Sequence, residues 1–549
     1  MRISTGFEQD ISFGVMIDSS RNAVMRVNEI KRLIDTIIPM GYNTLYLYIE
    51  DTYEIESEPY FGRNRGRYTK AELKELNDYG KERNFEIIPC IQTLAHLNAI
   101  FRWPKYQKIR DNANIVMVDD ERTYDLIDKM FATMRECFDT ENINIGMDEA
   151  HTVGLGKYLD KYGYQDKTSI LSKHLERVLQ IAQKYSFKPT MWSDMFIRPC
   201  HHGEYYPIDP DFNALKKQTD KIPEGVKLCY WDYENTTTDR YDTMFNVHDC
   251  FNREVSFAGG AVSWLGFAPK NEKSFSTILP AMRSCRKNKI KTVLIAMWGD
   301  DGGECSFFSM LPALLYAIEV YKGNENINSI KQKFLEYFNI SWDEFMLLEL
   351  PNHIGDNRDG NLSKYILFQD LFMGYYDYHV NNITKRTDFL GYAEKLRKVS
   401  MKAGDYGYLF SYMQDFCIAL HHKFDLGIRT RTAYKNDDKN ALQQLYEYDY
   451  GKFIEALKSF YKTFKSVWMK ENKPQGFDIQ DVRFGGLIMR TEHLREVLRD
   501  YCNRKIDKIE ELEDEYLKIA DREDCGFIEH WYYRVVSGNI FSHGLEFRS

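Results

Sequence analysis

The chain has 549 residues, of which 43% are apolar and 15% aromatic, with 38 Tyr, 34 Phe and a formal charge of −9. That supply of apolar surface excludes a disordered chain and exceeds what one core fills, so two or more domains are expected. Acids and bases are mixed along the sequence without a basic stripe, which argues against nucleic acid as a partner.

The apolar runs come in a fixed rhythm. Phe13–Ile17, Thr44–Ile49, Glu86–Ile91, Ile143–Met147, Pro189–Ser193, Lys227–Trp231, Phe257–Val262 and Val293–Met297 are each of strand length and rich in Val, Ile, Leu or Tyr. Helical patterns separate most of them: Val24–Ile38, Lys70–Arg83, Arg122–Phe138, Ile170–Tyr185, Ser274–Lys287 and Leu311–Tyr321. Strand then helix, repeated eight times, is the rhythm of an α/β fold. A (β/α)8 TIM barrel and a doubly wound open sheet both use it. Polar and aromatic residues favour the barrel, because nearly every run ends in them: Asp18 and Arg21, Asp51, His96, Asp148 with Glu149, Trp192 with Asp194, Trp231 with Asp232, Trp264, and Trp298 with Asp300. In a closed barrel those ends converge on one mouth, where catalytic groups collect. The expected division is a catalytic barrel over 1–325 and a helical C-terminal domain over 326–549. In the latter the apolar spacing turns helical, as at Ile506, Ile509, Leu512 and Tyr516, and Lys435–Asn440 reads as a connection between helices. That domain could form a homodimer interface or complete the rim of a pocket.

Ten cysteines are scattered without a CxxC pair, the N-terminus lacks a signal-peptide pattern, and no apolar run reaches the ~20 residues of a spanning helix. A reduced, cytoplasmic protein with no membrane partner is the expectation.

The segment Ile143-Asn144-Ile145-Gly146-Met147-Asp148-Glu149 drives a buried-strand pattern straight into two adjacent acids. Like charges side by side cost free energy unless they are paired, protonated or used. One acid held ionised and its neighbour kept as a proton donor is what cleavage of a glycosidic bond requires. The same pair could instead cap a helix. Trp192, Trp231, Trp264 and Trp298, at the ends of four successive strands, add aromatic walls that match the apolar faces of sugar rings.

At this point the residues resemble a known family. Gly146-Met147-Asp148-Glu149 resembles the Gly-x-Asp-Glu signature of family 20 glycoside hydrolases, the β-N-acetylhexosaminidases. Gly14 to Arg21 resembles the first-strand motif, and Gly66 to Glu72 the Tyr-Thr-x-x-Glu entry to the second helix. Tyr48-Ile49-Glu50-Asp51 stands where a His-Leu-Thr-Asp type motif is usual, Leu94-Ala95-His96 where Pro-Gly-His is usual, and Trp298-Gly299-Asp300 where Trp-x-Glu is usual. The likeness covers roughly residues 10–320.

The resemblance implies a retaining exo-β-N-acetylhexosaminidase that acts on terminal β-linked GlcNAc or GalNAc, with no cofactor, by substrate-assisted catalysis through an oxazolinium intermediate. Asp148 would orient the acetamide and Glu149 would serve as acid then base, tuned by Asp51 and His96. Trp192, Trp231 and Trp298 would wall the pocket, and Arg21 and Asp300 would hold outer hydroxyls. The family's seventh-strand tyrosine is missing from Gly259-Gly260-Ala261-Val262-Ser263-Trp264, which leaves Tyr230 and Tyr233 as candidate donors to the acetamide oxygen.

Other motifs are weaker. His201-His202-Gly203-Glu204 lacks the further ligands of a metal site, and Asp300-Asp301-Gly302-Gly303-Glu304 lacks EF-hand spacing and reads as an acidic rim. Barrels host many chemistries, so a different glycosidase, a metal-dependent hydrolase and a non-catalytic carbohydrate-binding protein are the rival readings.

Overall fold

A computed structural model describes residues 11–355, 360–383, 387–521 and 531–536. Eight parallel strands close into a barrel in chain order: β1 (Ser12–Asp18), β2 (Thr44–Glu50), β3 (Glu86–Ile91), β4 (Asn142–Asn144), β5 (Lys188–Trp192), β6 (Lys227–Trp231), β7 (Val255–Gly260) and β8 (Thr292–Met297). Closure comes from β1 pairing with β8, from Ser12 opposite Thr292 to Ile17 opposite Met297. The open-sheet alternative is thereby excluded.

Alternation along each strand divides the apolar residues into two sets. Met16, Tyr46, Tyr48, Ile88, Cys90, Trp192, Cys229, Ala258, Leu294 and Ala296 pack together inside the barrel. Phe13, Val15, Ile17, Leu45, Leu47, Met191 and Tyr230 belong instead to the large core shared with the surrounding helices. This parity decides which strand-end residues can face the mouth.

The helices follow the apolar periodicity. Lys70–Glu82 opens with a reciprocal capping box between Thr69 and Glu72, and Glu121–Cys137 and Lys167–Lys184 open on the side chains of Asp120 and Asp166. A helix at Thr238–Asp249 has no counterpart among the sequence expectations. Its buried positions Tyr241, Met244, Phe245, Val247 and His248 are interleaved with polar residues, which blunts the period. Strand β4 stops at Asn144, short of the expected Met147, because the chain turns into left-handed backbone there.

Beyond the barrel the described residues are mainly helical, with long helices at Phe389–Ser400, Gly407–Lys423, Tyr450–Glu471 and Asp478–Cys502. The connection expected at Lys435–Asn440 falls between the helices Leu426–Lys435 and Lys439–Gln444. The helix expected through Ile506 to Tyr516 is corrected: only a short 3-10 turn, Glu510–Leu512, forms there. Side chains replace the helical ladder, since Arg431 donates to Leu512 O (3.0 Å) and the Tyr434 hydroxyl accepts from Ile509 N–H (3.0 Å).

The two parts share a core. Phe267, from the loop after β7, is fully buried against the rings of Phe368, Phe416, Phe460, Phe464 and Phe484. Arg32 donates to the Tyr408 hydroxyl (2.9 Å), and Ser306 and Tyr408 both donate to Glu471 (2.7 and 2.6 Å). Phe267→Ala should cost about 3–5 kcal/mol through the cavity it leaves among five rings. Chemical denaturation checks this, and a midpoint equal to wild type would show that the loop does not couple the two parts.

Candidate active site

After β4 the chain makes a turn in which Gly146, Met147 and Glu149 have φ of 71°, 70° and 51°. Such left-handed backbone is costly for Met and Glu and clusters at functional sites. No helix begins at Asp148-Glu149, since the next one is Lys157–Tyr162, so the pair does not serve as a cap. The turn sends the two side chains into different surroundings: the Asp148 side chain is 13% exposed and that of Glu149 45%.

Asp148 is held from two sides. Its Oδ1 accepts from Gln92 Nε2 (2.7 Å), and its Oδ2 lies 3.2 Å from His96 Nε2. His96 Nε2 is also 3.7 Å from Glu149 Oε2, so one imidazole bridges both acids. Gln92 is itself fixed, because its Oε1 accepts Met147 N–H (3.1 Å) and its amide also donates to the Tyr48 hydroxyl (2.9 Å). Tyr48 in turn donates to Glu50 Oε1 (3.0 Å). Arg21 Nη1 reaches Glu50 (3.2 Å) and Asp18 (3.3 Å), while its Nε lies 3.8 Å from Asp300 Oδ1. The guanidinium is 5.1 Å from the ring centres of both Tyr48 and Trp298. Behind Glu149, its N–H donates to Asp194 Oδ2 (3.1 Å), which also accepts from Arg198 Nε (3.2 Å).

The aromatic residues form a wall. Trp192 is 6.1 Å from Trp298, Trp231 stacks on Tyr233 at 5.6 Å, and Trp264 meets Tyr233 edge-on at 5.3 Å. Among the described residues, Trp192 Nε1 is buried without a hydrogen-bond partner.

These surroundings set the charges. Burial alone would lower the His96 pKa, but the Asp148 carboxylate outweighs it and the imidazole is raised to about 9. Burial would raise Asp148, yet His96 and the Gln92 hydrogen bond hold it below the ordinary carboxylate value. Asp300 and Asp194 go the other way: burial pushes each up to about 7, with Arg21 opposing the shift at Asp300 and the Asp148 charge adding to it at Asp194.

The structure thus brings together Arg21, His96, Asp148, Glu149, Trp298 and Asp300, and lines up Trp192, Trp231, Tyr233 and Trp264 beside them. Two expected residues fall elsewhere. Tyr230 lies on the outer face of β6, packed on Tyr241, Phe245, His248 and Phe257, and its hydroxyl donates to Asp232 (2.5 Å). Strand parity excludes it and leaves Tyr233. Asp51 accepts from Arg65 Nε and Nη2 (3.1 and 3.0 Å), and it is the preceding residue, Glu50, whose charge bears on His96. Glu50 and Gln92 were not among the expected site residues, and Asp18 and Asp194 were expected only as polar residues at strand ends, without a role. Asp18, Glu50 and Gln92 sit on the inward register, at or just past a strand end, and that was the available signal.

Among the described residues, two groups place three ligand atoms within 4.8 Å of one another, as a cation would need: His96, Asp148 and Glu149, and Glu272, Glu349 and His353. In the second, Glu349 already accepts the Glu272 N–H at the start of the helix Asn271–Lys287 (3.0 Å). His201 is occupied otherwise, with Nδ1 against Ile197 O (3.1 Å) and Nε2 accepting from Asp211 N–H (3.0 Å).

A closed barrel with two adjacent carboxylates and an aromatic wall at the C-terminal ends of its strands has the layout of a glycoside hydrolase. Comparison with known proteins agrees. Residues 13–235 match the glycosyl hydrolase family 20 catalytic domain, and residues 343–529 match the glycoside hydrolase 20C C-terminal domain. The chain belongs to glycoside hydrolase family 20.

It is 20% identical to beta-hexosaminidase 1 of Coccidioides posadasii over 300 residues, 46% of this chain and 50% of that one. It is 22% identical to hexosaminidase D of Bos taurus over 203 residues, 35% of this chain and 55% of that one. The chain thus spans about half the length of the curated relatives it matches. A crystal structure of a β-N-acetylhexosaminidase from Bacteroides fragilis is similar at 19% identity and a TM-score of 0.47, covering 59% of this chain and 69% of that one.

Two outcomes are expected from this geometry. A Cβ on Gly146 would lie 2.0 Å from Gln92 Oε1 and require a left-handed alanine, so Gly146→Ala should cost about 1–3 kcal/mol or more and displace Gln92 from Asp148. Thermal unfolding and a crystal structure of the variant check both parts. Because the folded pKa of His96 is raised above its ordinary 6.5, the His96–Asp148 pair stabilises fully below that value and its contribution is lost as pH rises through about 9. The thermal midpoint of the wild type should therefore fall across this range more steeply than that of His96→Gln; parallel curves would remove the charge from His96.

Proposed function

We propose that the protein is a retaining exo-β-N-acetylhexosaminidase that removes terminal β-linked N-acetylhexosamine by substrate-assisted catalysis. The observation that carries this reading is the contrast within the acid pair: Asp148 buried, paired and kept ionised, Glu149 half-exposed beside it. A leaving group entering from solvent meets Glu149, and an acetamide seated against the tryptophans meets Asp148.

In the first step the acetamide oxygen bonds to the anomeric carbon while the C–O bond to the leaving group breaks and takes the Glu149 proton. Asp148 accepts a hydrogen bond from the acetamide N–H and offsets its growing positive charge. Water then gives a proton to Glu149 and adds to the anomeric carbon, reopening the ring with retention. Protonated His96, in reach of both carboxylates, holds Asp148 ionised throughout. Tyr233 is the donor for the acetamide oxygen, and Arg21, Glu50 and Asp300 take the outer hydroxyls. The helical region is a second unit of the same enzyme. We also place the protein in the cytoplasm, since the nine cysteines among the described residues are all unbonded.

Release of nitrophenol from p-nitrophenyl N-acetyl-β-glucosaminide and its galacto analogue tests the reading. Glu149→Gln and Asp148→Asn should each lower kcat by about 100-fold or more, and Tyr233→Phe by about 10-fold. No turnover by the wild type on either substrate would instead favour a carbohydrate-binding protein.

A further inference from the structure

The loop Gly299–Glu304 leaves β8 and carries Asp300. On the barrel side Gly299 N–H donates to Asp18 Oδ2 (3.0 Å) and Gly303 N–H to Gly299 O (2.7 Å). A Cβ on Gly303 would come within 2.5 Å of Ala23 Cβ, so the loop is pressed against the segment that bears Arg21.

On its other side the loop meets the helical domain through four buried charges. Asp301 and Glu304 have side chains only 8% and 1% exposed. Lys364 Nζ sits 2.7 Å from Asp301 Oδ2 and 2.6 Å from Glu304 Oε2. Arg483, on the helix Asp478–Cys502, pairs with Asp301 Oδ1 (2.9 Å) and Glu304 Oε1 (2.8 Å) and donates to the Asp301 carbonyl (2.7 Å). Tyr532 N–H donates to Asp301 Oδ2 (2.6 Å), and its ring lies 4.4 Å from the Arg483 guanidinium. These contacts hold three successive residues, Asp301, Gly302 and Gly303, in left-handed backbone at φ 56°, 117° and 66°. A second brace comes from the C-terminal end of Tyr450–Glu471 and the residues just after it: Arg26 Nε donates to Met469 O (3.1 Å), and Lys473 N–H donates to Val24 O (2.8 Å).

Buried ion pairs are poor sources of net stability compared with apolar residues of the same volume, so a role in fixing geometry accounts for this quartet better. We propose that the helical domain completes the sugar subsite: Lys364 and Arg483 are positioning residues that hold Asp300 against Arg21 for the outer hydroxyls. The proposal rests on the hydroxyl-binding role given to Asp300 above.

The test is a double-mutant cycle between Arg483→Met and Asp300→Ala in the full chain. It is read both as KM on the nitrophenyl substrate and as Kd for N-acetylglucosamine by calorimetry. Arg483→Met should raise both constants about 10- to 100-fold in the wild-type background and less than about twofold when Asp300 is already alanine. Arg483→Lys should restore part of the loss. Equal factors in the two backgrounds would overturn the proposal, because a general loosening of the fold is not erased by removing one carboxylate. Should Arg483→Met fail to fold, the uncharged set Lys364→Met, Arg483→Met, Asp301→Asn and Glu304→Gln leaves no buried charge uncompensated. Wild-type constants in that variant would also overturn it. Absence of turnover in the wild type would sink the hydrolase reading alone, since the Kd cycle still decides the role of the clamp.

Discussion

Two carboxylates on consecutive residues repel each other, and the site depends on keeping them apart in environment while leaving them adjacent in sequence. An extended strand would do this by pointing one inward and one outward, and only one would then reach the mouth. The left-handed turn at Gly146–Glu149 solves the problem differently, with both at the mouth and only Asp148 in the grip of Gln92 and His96. The strain of that turn is held by the Gln92 side chain, which accepts from the turn's own backbone and donates to its acid. One amide thus fixes both the conformation and the charge.

From that point the network spreads around the mouth through shared atoms. Gln92 leads to Tyr48, Tyr48 to Glu50, Glu50 to Arg21, and Arg21 to Asp18 and Asp300. Strands β1, β2, β3 and β8 are linked in this way. Preorganised polar groups of this kind need little rearrangement when charge develops in a reaction.

Much of this was legible in the chain. The eight strands, the closure and the acid pair follow from apolar runs that end in polar residues, because inward and outward registers leave different residue types. Tyr230 was misread because strand parity shifts with a single residue, and β6 ends one position beyond it at Trp231. Asp51 was misread for the same reason: its neighbour Glu50 takes the inward place. Gln92 carries no motif at all, since its importance lies in which backbone N–H it meets. The ion pairs of Asp301 and Glu304 join residues far apart in the chain, a relation that local pattern cannot encode.

The insertion of Phe267 among rings as distant in the chain as Phe484 also bears on how the protein is made. Synthesis proceeds from the N-terminus at about 5–20 residues per second, so this loop leaves the ribosome on the order of 10–40 s before its last partner does. Through that interval the strands can pair around a barrel whose β7–β8 side presents an aromatic side chain that its partners have not yet fully covered. A nascent chain in this state is a natural client for a chaperone, and truncation ahead of the helix Asp478–Cys502 removes one of the five rings that cover Phe267.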